Sequence, residues 1–312
     1  MKKFFFALAA AVLSAGMMSA QDLATATETF NNGAEQLQLG DKAAALGLFQ
    51  QALEMGENLG DEAADLVANC KKTIPNLMVS LGKDAFNAKD FTGAAAKFAE
   101  AAETARAYEN DEALAEAEKL IPQAYLSAGT AAYSAKDMET AAANFKKVLE
   151  LDPTNGNAAL RLGMTLAAGN DLAGAKEAFL TAFANGQEDN AKKQLGNIVV
   201  KEAQAALKAG KNAEVVAIVS EADEAGFITN AAVYQLAGNA AKNLKNFNEA
   251  IGFYEKFLAA DPNNKNAGAI AYTIGAVYQQ NLNNKAKALE FYKKAVSLGY
   301  ADAQKMVTEL SK

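Results

Sequence analysis

The chain has 312 residues, 51% of them hydrophobic and 21% charged, so it can bury a core and is not disordered by composition. Acids outnumber bases, 37 Asp and Glu against 30 Lys and Arg, which argues against nucleic acid as a general partner. With no histidine and one cysteine, Ser–His–Asp and Cys–His catalysis, His-ligated zinc and thiolate metal sites are all removed.

The first twenty residues read as a leader. Lys2 and Lys3 precede an apolar run from Phe4 to Leu13, small residues follow, and Ala20 is a cleavage edge. The run is too short for a membrane span. The expectation is export to a bacterial periplasm or the extracellular space, the alternative being a hydrophobic anchor that stays attached. Gln21 stands where a lipoprotein would need cysteine, and no later segment is apolar enough to cross a bilayer.

Four prolines, no tryptophan and abundant alanine favour helix from there on. The first unit, near 26–60, sets a pattern: Gly33, then the turn acid Asp41, then Ala45 and Phe49 four and eight residues later. The second, near 75–108, repeats it as Gly82, Asp90, Ala94 and Phe98, and the third, near 122–155, as Gly129, Asp137, Ala141 and Phe145. The fourth, near 156–189, has Gly163, Asp171, Ala175 and Phe179. The fifth, near 197–230, is degenerate: Gln204, Asn212, Val216 and Ser220 fill the places, making it either a flexible joint or a tolerated weak repeat. The sixth, near 231–264, has Gly238, Asn246, Ala250 and Tyr254. The seventh, near 268–300, has Gly275, Asn284, Ala288 and Tyr292, its glycine nine residues ahead of the turn and not eight. Residues 301–312 read as a solvating cap, and no linker divides 21–312.

Each turn residue is of the kind that caps a helix, and spacings of four and eight lie on one helix face. Glycines in register inside helices imply close backbone approach, since each costs up to about 1 kcal/mol against alanine. The unit is therefore helix A carrying Gly, a capped turn, then helix B carrying Ala and a ring. The first two glycine intervals are long, and both extra stretches end alike, at Ile74-Pro75 and Ile121-Pro122, with Asp61 and Asp111 as expected caps and each helix kinked or restarted at its proline. Cys70 reads as a small buried residue or as a reactive or intermolecularly paired thiol. The glycine-rich stretch from Gly169 to Glu177 departs from a phosphate loop and falls on the fourth turn.

The pattern resembles the tetratricopeptide repeat, whose closing small residue and proline recur at Ala52, Ala101, Ala182 and Ala295 and at Asp152-Pro153 and Asp261-Pro262. The tryptophan of that family is absent. The resemblance implies an all-α fold, a right-handed α–α superhelix of about seven helix–turn–helix repeats, with helix A lining the inner surface. One face of helix A, taken six and three residues before the glycine position and one, four and five after it, holds no acid. It holds Asn76, Lys83, Asn87, Tyr133 and Asn157, then Lys201 and Lys208, then Gln235, Asn239, Lys242 and Asn243, and finally Tyr272 and Gln279. Amides that bond a backbone, rings that bury anchors and lysines that attract acids suit a peptide, favouring an acidic one. The same residues can also merely pack and solvate an acid-poor helix.

The sequence thus reads as a non-catalytic protein-binding scaffold of a bacterial envelope, with no cofactor or metal and no nucleic acid partner. A carbohydrate or small-ligand capture protein is the alternative, and self-association through the ends of the array is a further possibility.

Overall fold

The computed structural model describes residues 20–312; the expected leader lies outside the described residues apart from Ala20, which opens the first helix. The described residues form fifteen α-helices, one short 3₁₀ turn and no strand. They gather into two compact units, one through Ala131 and one from Ala132 to Lys312.

In the first unit α1 (Ala20–Gln38) packs on α2 (Lys42–Leu59), α2 on α3 (Ala64–Asn87), and α3 on α4 (Phe91–Ala107). The unit ends within α5 (Asp111–Ser134). Pro75 and Pro122 lie inside α3 and α5, which run through them without restarting. The expected cap Asp61 sits in the 3₁₀ turn Gly60–Ala63. In place of Asp111, Asn110 caps α5, accepting the Ala113 N–H at 3.1 Å. Cys70 is fully buried and burial pushes its thiol up to about 11, so it packs as a core residue.

In the second unit α6 (Met138–Leu151) leads to the pairs α7 (Gly156–Ala168) with α8 (Leu172–Ala184) and α9 (Glu188–Lys208) with α10 (Asn212–Glu224). The pairs α11 (Ala232–Asn243) with α12 (Phe247–Ala260) and α13 (Ala267–Gln280) with α14 (Lys285–Ser297) follow, and α15 (Ala303–Leu310) closes on α14. Each even helix also packs on the next odd one, from α6 on α7 to α12 on α13, and α9 lies beside both α7 and α11. Helices α7, α9 and α11 therefore line one wall, and α13 follows beyond α12.

The turns between helix A and helix B explain the spacing. A left-handed residue precedes each cap: Gly40, Lys89, Lys136, Asn170, Gly210, Lys245 and Asn283. In six of them the next N–H reaches back five residues, as from Asp41 to Gln36 and from Asp171 to Leu166, satisfying a carbonyl at the helix end. In the seventh, Asn284 reaches back six, to Tyr278, which accounts for the extra residue there. The carboxylates of Asp41, Asp90, Asp137 and Asp171 and the Asn284 amide then accept the N–H three residues on. Asn246 does not; its amide donates to Glu249.

Above these turns the glycines meet rings. A methyl added at Gly82, Gly163 or Gly238 would lie 2.5 Å from the ring of Phe98, Phe179 or Tyr254, and at Gly275 2.8 Å from Tyr292. Each ring is at most 1% exposed, and the alanines beneath, Ala45, Ala94, Ala141, Ala175, Ala250 and Ala288, are wholly buried. Burying a ring stabilises by about 1.5–3 kcal/mol, more than the glycine costs.

The fifth unit corrects the sequence reading. Its left-handed residue is Gly210, so the cap position is Lys211 and not Asn212, and the whole column moves by one. The fully buried residues are Ala203, Val215 and Val219, in one core cluster, while Gln204 is exposed and Val216 and Ser220 are half-buried. Glycine plus ring has become alanine plus valine, a methyl added on one helix against a shorter side chain on the other. The unit is an ordinary packed layer. Asp223 ties it onward, accepting from the Tyr234 hydroxyl of α11 and from Lys256 of α12.

Candidate binding face

In the first unit the expected face is already engaged. Lys83 pairs with Glu116 of α5 at 2.5 Å, so the acid-free reading fails there: the long α5 brings a carboxylate that the glycine register did not sample. Pro75 offers no N–H to the Lys71 carbonyl. One residue on, the Lys72 carbonyl accepts from the side-chain amides of Asn76, at 2.8 Å, and Asn110, at 3.0 Å. Asn76 thus serves the helix. Asn87 ends α3, exposed.

The second unit keeps its polarity. Helices α7, α11 and α13 contain no acid, and those of α9 are Glu188 and Asp189 in its first turn and Glu202, which borders cavities lined by the even helices. The acids gather instead on the even helices, four of them on α10 alone.

Along the odd-helix wall the polar side chains are held in place. Tyr133 borders a small cavity of about 30 Å³ with Phe145, Arg161 and Met164. Asn157, exposed at the start of α7, accepts from Arg161 Nε at 3.1 Å. The corrected register puts Lys201 two residues before the small position of α9, where α7 carries Arg161, a basic residue that the sampled face had missed. Lys201 and Lys208 are exposed and Lys242 is half-buried, and none of the three forms a salt bridge among the described residues. Asn243 donates to Asn212 at 3.3 Å, and Gln235 accepts from Asn266 at 3.5 Å.

Two tyrosines carry the wall's distinctive chemistry. Tyr254 passes beneath Gly238 and its hydroxyl donates to Asn239 Oδ1 at 2.7 Å. Tyr292 passes beneath Gly275 in the same way and donates to Gln279 Oε1 at 2.7 Å. Burial pushes both hydroxyls up to about 12, so they remain protonated donors. With their oxygens engaged, both amides are left with N–H donors to offer. Tyr272 lies between Tyr292 and Tyr300, its ring tilted by 50° and 43° to theirs with centroids 5.2 and 5.1 Å away. The wall therefore offers amide and ammonium donors beside aromatic surface, a set that suits carbonyl and carboxylate acceptors.

One family model for the tetratricopeptide repeat matches residues 132–195, and a second matches 231–264 and 269–298. The chain carries tetratricopeptide repeats. All three matched stretches lie in the second unit, and the unmatched gap contains the Ala203–Val219 layer, where glycine and ring are both replaced. Among curated proteins no match is found. Similar solved structures include the MamA protein, at 20% identity and a TM-score of 0.36, covering 60% of this chain and 96% of that one. YrrB, described as a tetratricopeptide repeat protein with an unusual peptide-binding site, has 23% identity and a TM-score of 0.31, over 58% and 91%. The TPR2AB domain of yeast Sti1, in complex with an Hsp90 peptide, has 15% identity and a TM-score of 0.33, over 93% and 99%. At these scores the likenesses bear on neither partner nor role.

No described helix is long and apolar enough to cross a membrane. No group of three or more metal-ligating side chains able to hold an ion occurs among the described residues.

Proposed function

We propose that the chain is a non-catalytic, exported scaffold of a bacterial envelope, and that the odd-helix wall of residues 132–312 holds an extended or helical segment of a partner protein, preferentially an acidic one. The observation that carries this reading is the pair of tyrosine-held amides, Asn239 and Gln279, on a wall whose charged side chains near them are basic. A hydroxyl that consumes the amide oxygen fixes which end of the amide faces a ligand, which is preorganisation at little entropic cost on binding. Four acids and no base on α10 disfavour an acidic segment on that helix. Export is supported by the lysine-led apolar leader at residues 1–20.

The test is a charge reversal. Lys201→Glu, Lys208→Glu and Lys242→Glu together should weaken binding of a fluorescent Asp- and Glu-containing peptide by tenfold or more, corresponding to about 1.4 kcal/mol. The thermal midpoint should stay nearly unchanged, because these side chains form no salt bridge that the reversal would break. Equal binding by both proteins would end the electrostatic part of the proposal.

A further inference from the structure

The first unit holds an open cavity of about 350 Å³, lined by Leu37 of α1 and by Lys72, Thr73, Asn76, Leu77 and Ser80 of α3. That volume is at the lower end of the roughly 300–1,000 Å³ typical of small-molecule sites. No acid lines it. Helical threonines elsewhere in the chain return their hydroxyls to the carbonyl four residues back, as Thr130, Thr165 and Thr273 do at 2.7, 2.7 and 2.9 Å. Thr73 and Ser80 do not: both are half-buried, neither hydroxyl bonds to another described residue, and neither is sealed from solvent. Asn76 spends an N–H on the Lys72 carbonyl at 2.8 Å, which leaves its Oδ1 open as an acceptor.

The cavity also has an uncompensated charge. Among the basic side chains of α2 and α3, Lys42, Lys71 and Lys83 pair with Asp84, Glu57 and Glu116, whereas Lys72 is exposed and in no salt bridge among the described residues. An ammonium takes an anion, and hydroxyls suit groups that both donate and accept. An acidic side chain alone would satisfy Lys72 and leave Asn76 Oδ1 without a donor. A carboxylate that also carries hydroxyls satisfies all four polar groups, and Leu37, 38% exposed, offers apolar surface to its C–H face. Thr73 and Ser80 are seven residues apart, about 10.5 Å along α3 at about 1.5 Å per residue. Two hydrogen bonds of about 2.8 Å leave about 5 Å between them, close to the separation of hydroxyl oxygens across one six-membered sugar ring.

We propose that this cavity binds a single-ring sugar acid, its carboxylate on Lys72 and its hydroxyls exchanging hydrogen bonds with Thr73, Ser80 and Asn76 Oδ1. The site is separate from the peptide-binding wall, since every residue that lines it lies in the first unit.

The test is calorimetric titration of the full chain with glucuronate, with glucose and with the acidic peptide used above. Glucuronate should bind saturably and glucose about tenfold more weakly or worse, the loss expected for one charge-assisted hydrogen bond. Lys72→Met, at an exposed position, should bring glucuronate down to the level of glucose. Thr73→Val with Ser80→Ala should weaken both sugars alike, by about tenfold; should that variant not fold, Lys72→Met decides alone. Lys208→Glu with Lys242→Glu should leave glucuronate binding unchanged, which separates failure here from failure of the wall. No saturable binding of glucuronate, equal binding of glucose, or a glucuronate affinity indifferent to Lys72→Met overturns the proposal. So does displacement of glucuronate by the acidic peptide from the Lys208→Glu, Lys242→Glu protein, since an acidic side chain would then be the occupant.

Discussion

Gly163 and Gly47 show how one residue type carries opposite meanings. A methyl at Gly163 would lie 2.5 Å from the Phe179 ring, whereas at Gly47, on the exposed side of α2, it meets nothing within 4 Å. Gly163→Ala is therefore expected to lose about 1–3 kcal/mol through overpacking, offset by less than about 1 kcal/mol of helix propensity. Gly47→Ala should gain up to about 1 kcal/mol. Urea unfolding of the two variants checks both signs. Tyr254→Phe keeps the ring beneath Gly238 and removes only the hydroxyl that holds Asn239. It should cost about 1 kcal/mol of stability. It should also weaken peptide binding, by freeing the amide to turn; unchanged binding would mean that the tyrosine serves packing alone.

At the scale of the element, the caps decide where helices begin. Asp171 accepts the Gly174 N–H at 2.9 Å, so Asp171→Ala should destabilise by about 1 kcal/mol, while Asn246→Ala should cost less because that side chain caps nothing. Asp137 adds a pH dependence. The backbone N–H of Thr140, and then its hydroxyl, hold the carboxyl below its ordinary range. Its contribution is complete above the unfolded value, near about 3.9, and is lost as pH falls through the lower folded value. Asp137→Asn should flatten the acid limb of a stability–pH curve around that window, which denaturant melts from pH 5 downward would show.

Helix pairs, turns and ring plugs were legible in the sequence because glycine, cap and aromatic sit at fixed offsets along one chain. Three things were hidden for physical reasons. The fifth unit looked degenerate because Asn212 resembles a cap more than Lys211 does; Gly210, the left-handed residue of the turn, was the signal that fixes the register. The prolines looked like breaks, yet α3 and α5 run through them, with side-chain amides bonding the carbonyl beside Pro75. Lys83 looked available because its partner Glu116 lies 33 residues away in another helix, a distance no periodicity reports.

At the scale of the whole molecule, the candidate wall belongs to the second of the two units. There α7, α11 and α13 carry no acid, whereas α10 carries four. Helix propensity does not require that separation, because acids and bases alike suit exposed helix positions. Under the proposed function, an acidic or carbonyl-rich chain meets donors on this wall. Placing a photo-crosslinking residue at Asn243, on the odd-helix side, and in a separate protein at Glu255, exposed on α12, tests this most directly. Irradiation in envelope extract should give a discrete polypeptide adduct from position 243 and none from 255. Adducts from 255 with none from 243 would place the partner on the opposite side and contradict the account.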